Sequence, residues 1–573
     1  MAASTHASAT AVAQSVLERG GTAFDAVVAG GFTLHVVEPH LNGPGGDLVG
    51  LFQRADADSP TVLMGQGPAP AGATIAHVAG EGLDLVPGAG GLAAAVPGAV
   101  DAWLLLLRDH GTWELADVLA YAIGYARDGH PLLPAAAATI ARVADLFTEH
   151  WPTSAELWLT DGHAPQPGSV HRNPAYAAVL ERLVVAGHGG GTRAERIDAA
   201  RREWATGILV DTAVPFLAAP HRHSSGTDHA AVLAADDIDR FAAGYEEPVT
   251  ASFRGCTVVK AGAWTQGPAL LEALRILEPF ADDMLDVATP GGAHTVIETL
   301  KLALADRDAY FGDGADADWL LGDAVAGARR ADIGERASRA WRPAPSGGPA
   351  PWQPPLRSAD AAGDSAATGE PTVARSGQTR GDTCHIDVVD RWGNIVAVTP
   401  SGGWLQSSPA IPGLGFCLGT RLQMCWLDET SPSALRPGRR PRTTLSPTMI
   451  LDGTTVIALG TPGGDQQDQW QLPMILRMLV GGYSAQEAID APTLHTTAMV
   501  DSFWPRTWTP TGVVAEARLG HEVIDALSAR GHEVTVVGDW TLGRLSAVAS
   551  DRATGGLWAA ANPRGVQGYA SGR

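Results

Sequence analysis

The chain has 573 residues, enough for several domains or for one large layered fold, and its 45% hydrophobic and 18% charged residues mark a globular protein with ample core. Its 40 Lys+Arg against 62 Asp+Glu give a net charge of −22, a field that repels nucleic acid and anionic membrane surfaces and argues against either as a partner. Four cysteines (Cys256, Cys384, Cys417, Cys425) with no C-x-x-C spacing argue against a disulfide framework or a thiolate zinc site and fit a reducing compartment.

The first residues, Met1 to Thr10, are small and polar and carry no signal-peptide pattern. No run of about 18 uncharged apolar residues suggests a membrane helix, so the expected location is the cytoplasm. Helical spacing runs from Ala7 to Glu18 and stops at Gly20-Gly21, and a second helix follows from Thr22 to about Val37. The loop Glu38 to Asp47 contains Gly43-Pro44-Gly45-Gly46. Such a loop suits either a tight packing turn or a set of amides turned on an anion; no Gly-Lys-Ser/Thr follows, which favours packing. A strand pair between Leu51 and Ala73 leads into Gly65-Gln66-Gly67. Val96-Pro97-Gly98 opens an apolar helix from Ala99, and another spans Trp113 to Ala126.

From Pro131 to about Tyr310 the patterns read as mostly helical. His221, His223 and His229 fall in a Ser/Gly-rich loop with little carboxylate support, and they read as loop residues rather than metal ligands. Residues from about 323 to 380 are rich in Pro, Gly, Ala, Ser and Arg without a sustained period, and read as a mobile linker. The pattern then changes abruptly. Two β-branched runs, Ile386 to Asp390 and Asn394 to Thr399, flank an Arg-Trp-Gly-Asn turn and predict a β-hairpin.

Thr383 stands at the head of that hairpin. A threonine hydroxyl is a weak nucleophile, and one way to activate it is a free α-amine on the same residue acting as base. That requires a break between Asp382 and Thr383, most simply by attack of the Thr383 hydroxyl on the Asp382 carbonyl, an N→O acyl shift and ester hydrolysis. An ordinary strand threonine fits the same pattern on propensity alone. Further on, a strand over Thr455 to Leu459 runs into Gly460-Thr461-Pro462-Gly463-Gly464-Asp465, and a helix spans Gln469 to Val480. Two glycines between a strand and a helix give either an oxyanion hole or a plain tight turn.

Together these stretches resemble the γ-glutamyltranspeptidase family of N-terminal nucleophile hydrolases. The resemblance rests on ordered motifs: Gly20-Gly21-Thr22-Ala23-Phe24-Asp25-Ala26, Val36-Val37-Glu38-Pro39 with Gly43-Pro44-Gly45-Gly46, Val96-Pro97-Gly98, Asp382-Thr383-Cys384-His385, Gly393-Asn394, Ser446-Pro447-Thr448 and Pro462-Gly463-Gly464. It implies a four-layer αββα sandwich, cut by autoproteolysis into a large chain (1–382) and a small chain (383–573) that stay paired. It implies Thr383 as nucleophile, Ser401 as the hydroxyl that supports it, and Gly463 and Gly464 as oxyanion donors, with no cofactor and no metal.

The residues that read a glutamyl group are altered. Where the family has an arginine for the donor's carboxylate, this chain has Gln66. Where it has an aspartate and an asparagine for the amino group, this chain has Trp426 and Gly403. Thr443 and Thr444 replace two serines, and Gln423 is kept. Losing charged partners to a zwitterion costs about 2 to 5 kcal/mol apiece. The expected activity is therefore hydrolysis of a non-glutamyl small molecule, at an amide or at a C–C bond beside a keto group as in specialised-metabolite pathways. The alternatives are a true γ-glutamyl hydrolase or transpeptidase, and a non-catalytic binding protein on the same scaffold.

Overall fold

The predicted hairpin forms as strands Ile386–Val389 and Ile395–Ser401 in a computed structural model that describes residues 1–345, 347–358, 383–564 and 568–572. Asp382, and residues 359–380 of the stretch read as a linker, lie outside the described residues. The hairpin occupies the middle of a seven-stranded antiparallel sheet, ordered Tyr569–Ser571, Ala2–Ser4, Ile386–Val389, Ile395–Ser401, Asp47–Gln53, Thr61–Gly65, Gly244–Glu246. A second antiparallel sheet runs Gly556–Ala561, Ser546–Asp551, Thr455–Gly460, Thr448–Asp452, Cys256–Lys260, Val249–Phe253.

The alternation of side chains sorts the hairpin residues between two cores. Ile386, Val388, Val396 and Val398 pack outward into one large cluster with helices Ala7–Glu18, Ala23–Val37 and Ala99–His110. Val389, Ile395 and Ala397 point the other way, into a cluster shared with Met449, Val456, Ala458 and Val548 of the second sheet. The outer face of that sheet is covered by helices Gly267–Leu277, Pro290–Tyr310 and Gln467–Leu479. The architecture is a four-layer αββα sandwich. Because both faces of each central strand are covered, the strands read as nearly continuous β-branched runs. Helix Ala23–Val37 is buried all round and lacks an amphipathic stripe for the same reason. Its start is fixed by a capping box between Thr22 and Asp25, and Asp25 also accepts from the Thr112 and Trp113 amides, which ties two helices together.

Two expectations need correction. The region from Pro131 to about Tyr310 is mostly helical as expected, but it also supplies strands Gly244–Glu246, Val249–Phe253 and Cys256–Lys260, which the expectation missed. The last two are joined by Arg254-Gly255, both at positive φ, a two-residue hairpin turn flanked by alternating apolar residues. The stretch read as a linker from about 323 begins with helix Asp323–Ala331. Arg329 there is buried against Asp306 at 3.1 Å and Asp332 at 3.0 Å, an arginine serving as core through its stem and its ion pairs. Among the described residues no helix is long and apolar enough to cross a membrane.

Candidate active site

Thr383 forms an isolated antiparallel bridge with Ser401, just beyond the last regular pair of the hairpin. The Cys384 amide donates to the Pro400 carbonyl at 3.0 Å, and the Thr383 hydroxyl donates to Ser401 Oγ at 3.3 Å. Both residues are 1% exposed. Parity puts Thr383 on the same strand face as His385, Asp387 and Val389, the face turned to the second sheet. His385 bridges Thr399 Oγ1 and Asp387 Oδ1, each at 2.8 Å, and Asp387 accepts from Ser546 Oγ of the facing sheet at 2.7 Å. This buried polar chain locks the two sheets in register beneath the threonine. The neighbouring Cys384 is a poor rival nucleophile, because burial, and then the Glu38 carboxylate 3.1 Å away, push its thiol well above the ordinary range.

The second sheet delivers the glycine pair to the same end. Val456 and Ala458 sit with Val389 and Ile395, whereas Gly460 lies so close to His385 that a Cβ there would meet the ring at 2.3 Å. The strand Thr455–Gly460 thus runs toward the Thr383 end, and Thr461 to Gly464 leave it on that side. Gly463 has φ +129° and Gly464 φ +54°, and a Cβ on Gly463 would strike the Trp470 ring at 2.3 Å. Neither place admits another residue without strain. The helix that follows is pinned at its first turn: Lys260 Nζ, fully buried, donates to Ser446 O (3.0 Å) and Thr448 Oγ1 (2.7 Å) and pairs with Asp468 at 2.9 Å. Trp470 is held in turn by its Nε1–H donating to His495 Nδ1 at 3.3 Å.

The loop Gly43-Pro44-Gly45-Gly46 is a packing turn against this site. A Cβ on Gly43, Gly45 or Gly46 would meet the carbonyl oxygens of Gly403, Cys417 or Ser401 at 2.3, 2.1 and 2.1 Å. Gly403 itself sits at φ +62°. Gln66 is fully buried, with Nε2 bonded to the Gly67 carbonyl and Oε1 without a partner among the described residues. Gln423 is consumed by the protein: Nε2 donates to Gly88 O and Thr420 Oγ1, and Oε1 accepts from the Trp504 amide. Thr443 is bridged to Thr265, and Thr444 Oγ1 is buried without a partner among the described residues. Trp426 belongs to an aromatic cluster with Trp352, Trp504 and Trp508, its ring 5.2 Å from that of Trp352.

Several residues at the site carry no motif legible in the sequence. Asp47, paired with Ser401 across the sheet, forms a buried two-point ion pair with Arg421 (2.6 and 2.7 Å) that flanks Gly402. Trp352 comes from the supposed linker. Arg442 and Arg506 are both buried. The histidines of the 221–229 loop are bonded within the protein: His223 Nε2 accepts from the Leu92 amide, and His229 bridges Glu81 and Thr227. Among the described residues no three His, Cys, Asp or Glu side chains are grouped to hold a metal.

A threonine at the head of a central strand, between two antiparallel sheets covered by helices, defines the N-terminal-nucleophile type of fold. The family model for gamma-glutamyltranspeptidase matches residues 9–572, and the chain belongs to that family. It is similar to the oxamate amidohydrolase proenzyme of Klebsiella pneumoniae, 30% identical with 100% of this chain and 98% of the relative covered. The solved structure of LmbA2991HD superposes with a TM-score of 0.94 at 50% identity, covering 100% of this chain and 98% of that one. A cephalosporin acylase from Bacillus halodurans superposes with a TM-score of 0.81 at 26% identity, covering 99% and 94%.

Proposed function

We propose that the protein is a self-processed threonine hydrolase acting on an amide of a non-glutamyl small molecule. Cleavage between Asp382 and Thr383 frees the Thr383 α-amine. That amine takes the hydroxyl proton as Oγ1 attacks the substrate carbonyl carbon, and the Gly463 and Gly464 amides face the developing oxyanion. Collapse returns the proton to the departing amine and leaves an ester on Thr383. Water, deprotonated by the same amine, then releases the acid. Ser401 orients the Thr383 oxygen throughout.

The observation that carries this reading is the Thr383–Ser401 contact at the end of the hairpin, on the face and at the end to which the facing strand brings Gly463 and Gly464. The amide is preferred because relatives over nearly the whole chain are by name an amidohydrolase and an acylase. The same steps reach a C–C bond beside a keto group when the leaving carbon is a stabilised enolate or enamine. A glutamyl donor is disfavoured by Gln66 and Trp426, which offer no charge to a zwitterion. The small-molecule substrate, the paired chains and a cytoplasmic location are parts of the same proposal.

Intact mass under denaturing conditions tests it. The wild type is expected as two chains of roughly 40 and 20 kDa, the smaller beginning at Thr383, with Thr383→Ala remaining whole and inactive. A wild type that stays whole under all conditions overturns the reading in favour of a binding protein.

A further inference from the structure

Arg442 immediately precedes Thr443 and Thr444 in the basic loop that leads into strand Thr448–Asp452. It is 4% exposed. Its Nη2 donates to Ser502 Oγ at 2.8 Å, and Ser502 in turn bonds Asp465, the residue after Gly464, through both its amide and its hydroxyl. Its Nη1 is buried with no hydrogen-bond partner among the described residues. Two residues along, Thr444 Oγ1 is buried and unpartnered as well.

Among the described residues the charges around Arg442 do not cancel. Arg307 is satisfied by Asp308 at 2.8 Å and by Asp465. Those two carboxylates are also claimed by the Val500 and Ser502 amides. Arg506 lies with its guanidinium 3.9 Å from the Trp426 ring centroid and donates from Nε and Nη2 to the Gln423 carbonyl. Among the described residues, three guanidiniums thus share two carboxylates. Cys425, beside Arg442 and Arg506, adds no third anion, since burial pushes its thiol up to about 12. A buried excess cation with an unmade hydrogen bond costs several kcal/mol unless a ligand completes it.

We propose that Arg442, backed by Arg506 behind Trp426, is the specificity-determining anchor for a carboxylate on the acyl part of the substrate. Nη1 and the Thr444 hydroxyl supply the two donors a carboxylate takes, one charged and one neutral. Arg506 polarises the aromatic wall and favours negative charge over the Trp426 face. This rests on the reading of Thr443, Thr444 and Trp426 as the acyl pocket of the proposed hydrolase. It moves the anion contact away from position 66, where Gln66 carries no charge, to the 442–444 segment.

The test reads binding without turnover. Self-cleaved wild-type protein is titrated calorimetrically with succinate and with its neutral isostere succinamide, and each titration is repeated on Arg442→Gln and Arg442→Lys after their self-cleavage and unfolding temperature have been checked. Succinate is expected to bind the wild type at least tenfold more tightly than succinamide. That preference should vanish in Arg442→Gln and return in part in Arg442→Lys. Equal affinities for the two probes in the wild type overturn the proposal even if Arg442→Gln fails to fold. So does an unchanged preference in a folded Arg442→Gln. Preferential binding of succinate by a protein that hydrolyses no amide sinks the hydrolase reading and leaves the anion site standing, so the two failures are distinct.

Discussion

Thr383 Oγ1 donates to Ser401 Oγ at 3.3 Å across an antiparallel bridge, although eighteen residues of hairpin separate them. The register Ile386 to Val398 makes this pairing unavoidable: stepping three residues back from Ile386 and three forward from Val398 lands on Thr383 and Ser401. A second hydroxyl opposite the candidate nucleophile fixes its rotamer and stabilises its developing charge. Ser401→Ala is expected to slow both self-cleavage and turnover by roughly 5- to 150-fold, the equivalent of a buried bond worth about 1 to 3 kcal/mol. Ser401→Thr should retain most of both. Gel time courses and kcat for the two variants check this, and an unchanged Ser401→Ala rate would remove Ser401 from the mechanism.

Gly463 is boxed in by Trp470, so backbone and packing both oppose a side chain there. Gly463→Ala should lose about 1 to 3 kcal/mol of stability from the strained φ. It should also lose about 10²- to 10³-fold in kcat if the Gly463 amide serves the oxyanion. Combining it with Trp470→Leu relieves the clash but not the backbone conformation. The double variant is therefore expected to regain unfolding temperature without regaining kcat. Recovery of both together would make Gly463 a packing residue only.

The hairpin and the flanking helices were legible because their patterns are local: β-branched alternation broken by Gly393-Asn394, and helical spacing ended by Gly20-Gly21. The 43–46 glycines were legible as a packing turn for the same reason, but their partners Ser401 and Gly403 were not. The second sheet was only half legible. Its strand Val249–Phe253 alternates apolar and polar residues, but it and its Arg254-Gly255 turn are short and lie inside a long helical region whose composition dominates. What a single chain hides most is charge placement. Asp47 meets Arg421 374 residues away, and Arg442 meets Ser502 60 residues away, pairings that only the fold creates. Trp352 hid for another reason: proline-rich composition suggested no packing, yet one tryptophan suffices to bury such a segment against Trp426.

Three imidazoles, His35, His40 and His495, are fully buried, and burial lowers each to about 3 from the usual 6.5. Above pH 6.5 they are neutral in both folded and unfolded chains and add no pH dependence. Between 6.5 and about 3 the unfolded chain takes up protons that the native state refuses, so stability falls as pH falls, by about 1.4 kcal/mol per unit for each group. Urea unfolding at pH 7 and pH 5 should show this loss. His495→Asn should reduce it by one group's share. An identical slope in the variant would mean that His495 titrates normally, and with it that the Trp470–His495 bond does not constrain the Gly463 loop against acid.

In the proposed acyl pocket the amino end of a γ-glutamyl donor meets Trp426, and behind that ring lies a guanidinium 3.9 Å from its centroid. The Arg506 charge opposes an ammonium there, while Gln66 withholds the cation that the donor's carboxylate needs. A glutaryl anilide keeps the carboxylate and differs only in lacking the ammonium, so that one loss of about 2 to 5 kcal/mol puts γ-glutamyl anilides roughly 30- to 5000-fold below it. The consequence is directional. Gln66→Arg alone should not create γ-glutamyl turnover, because it restores the carboxylate contact and leaves the ammonium facing Trp426 and Arg506. Gln66→Arg with Trp426→Asp should raise it measurably, since the new carboxylate both receives the ammonium and pairs with Arg506. Release of 4-nitroaniline from γ-glutamyl and glutaryl anilides by the wild type and both variants decides the matter. Substantial γ-glutamyl turnover by the wild type would show that neutral contacts at Gln66, Thr443 and Thr444 suffice for the zwitterion.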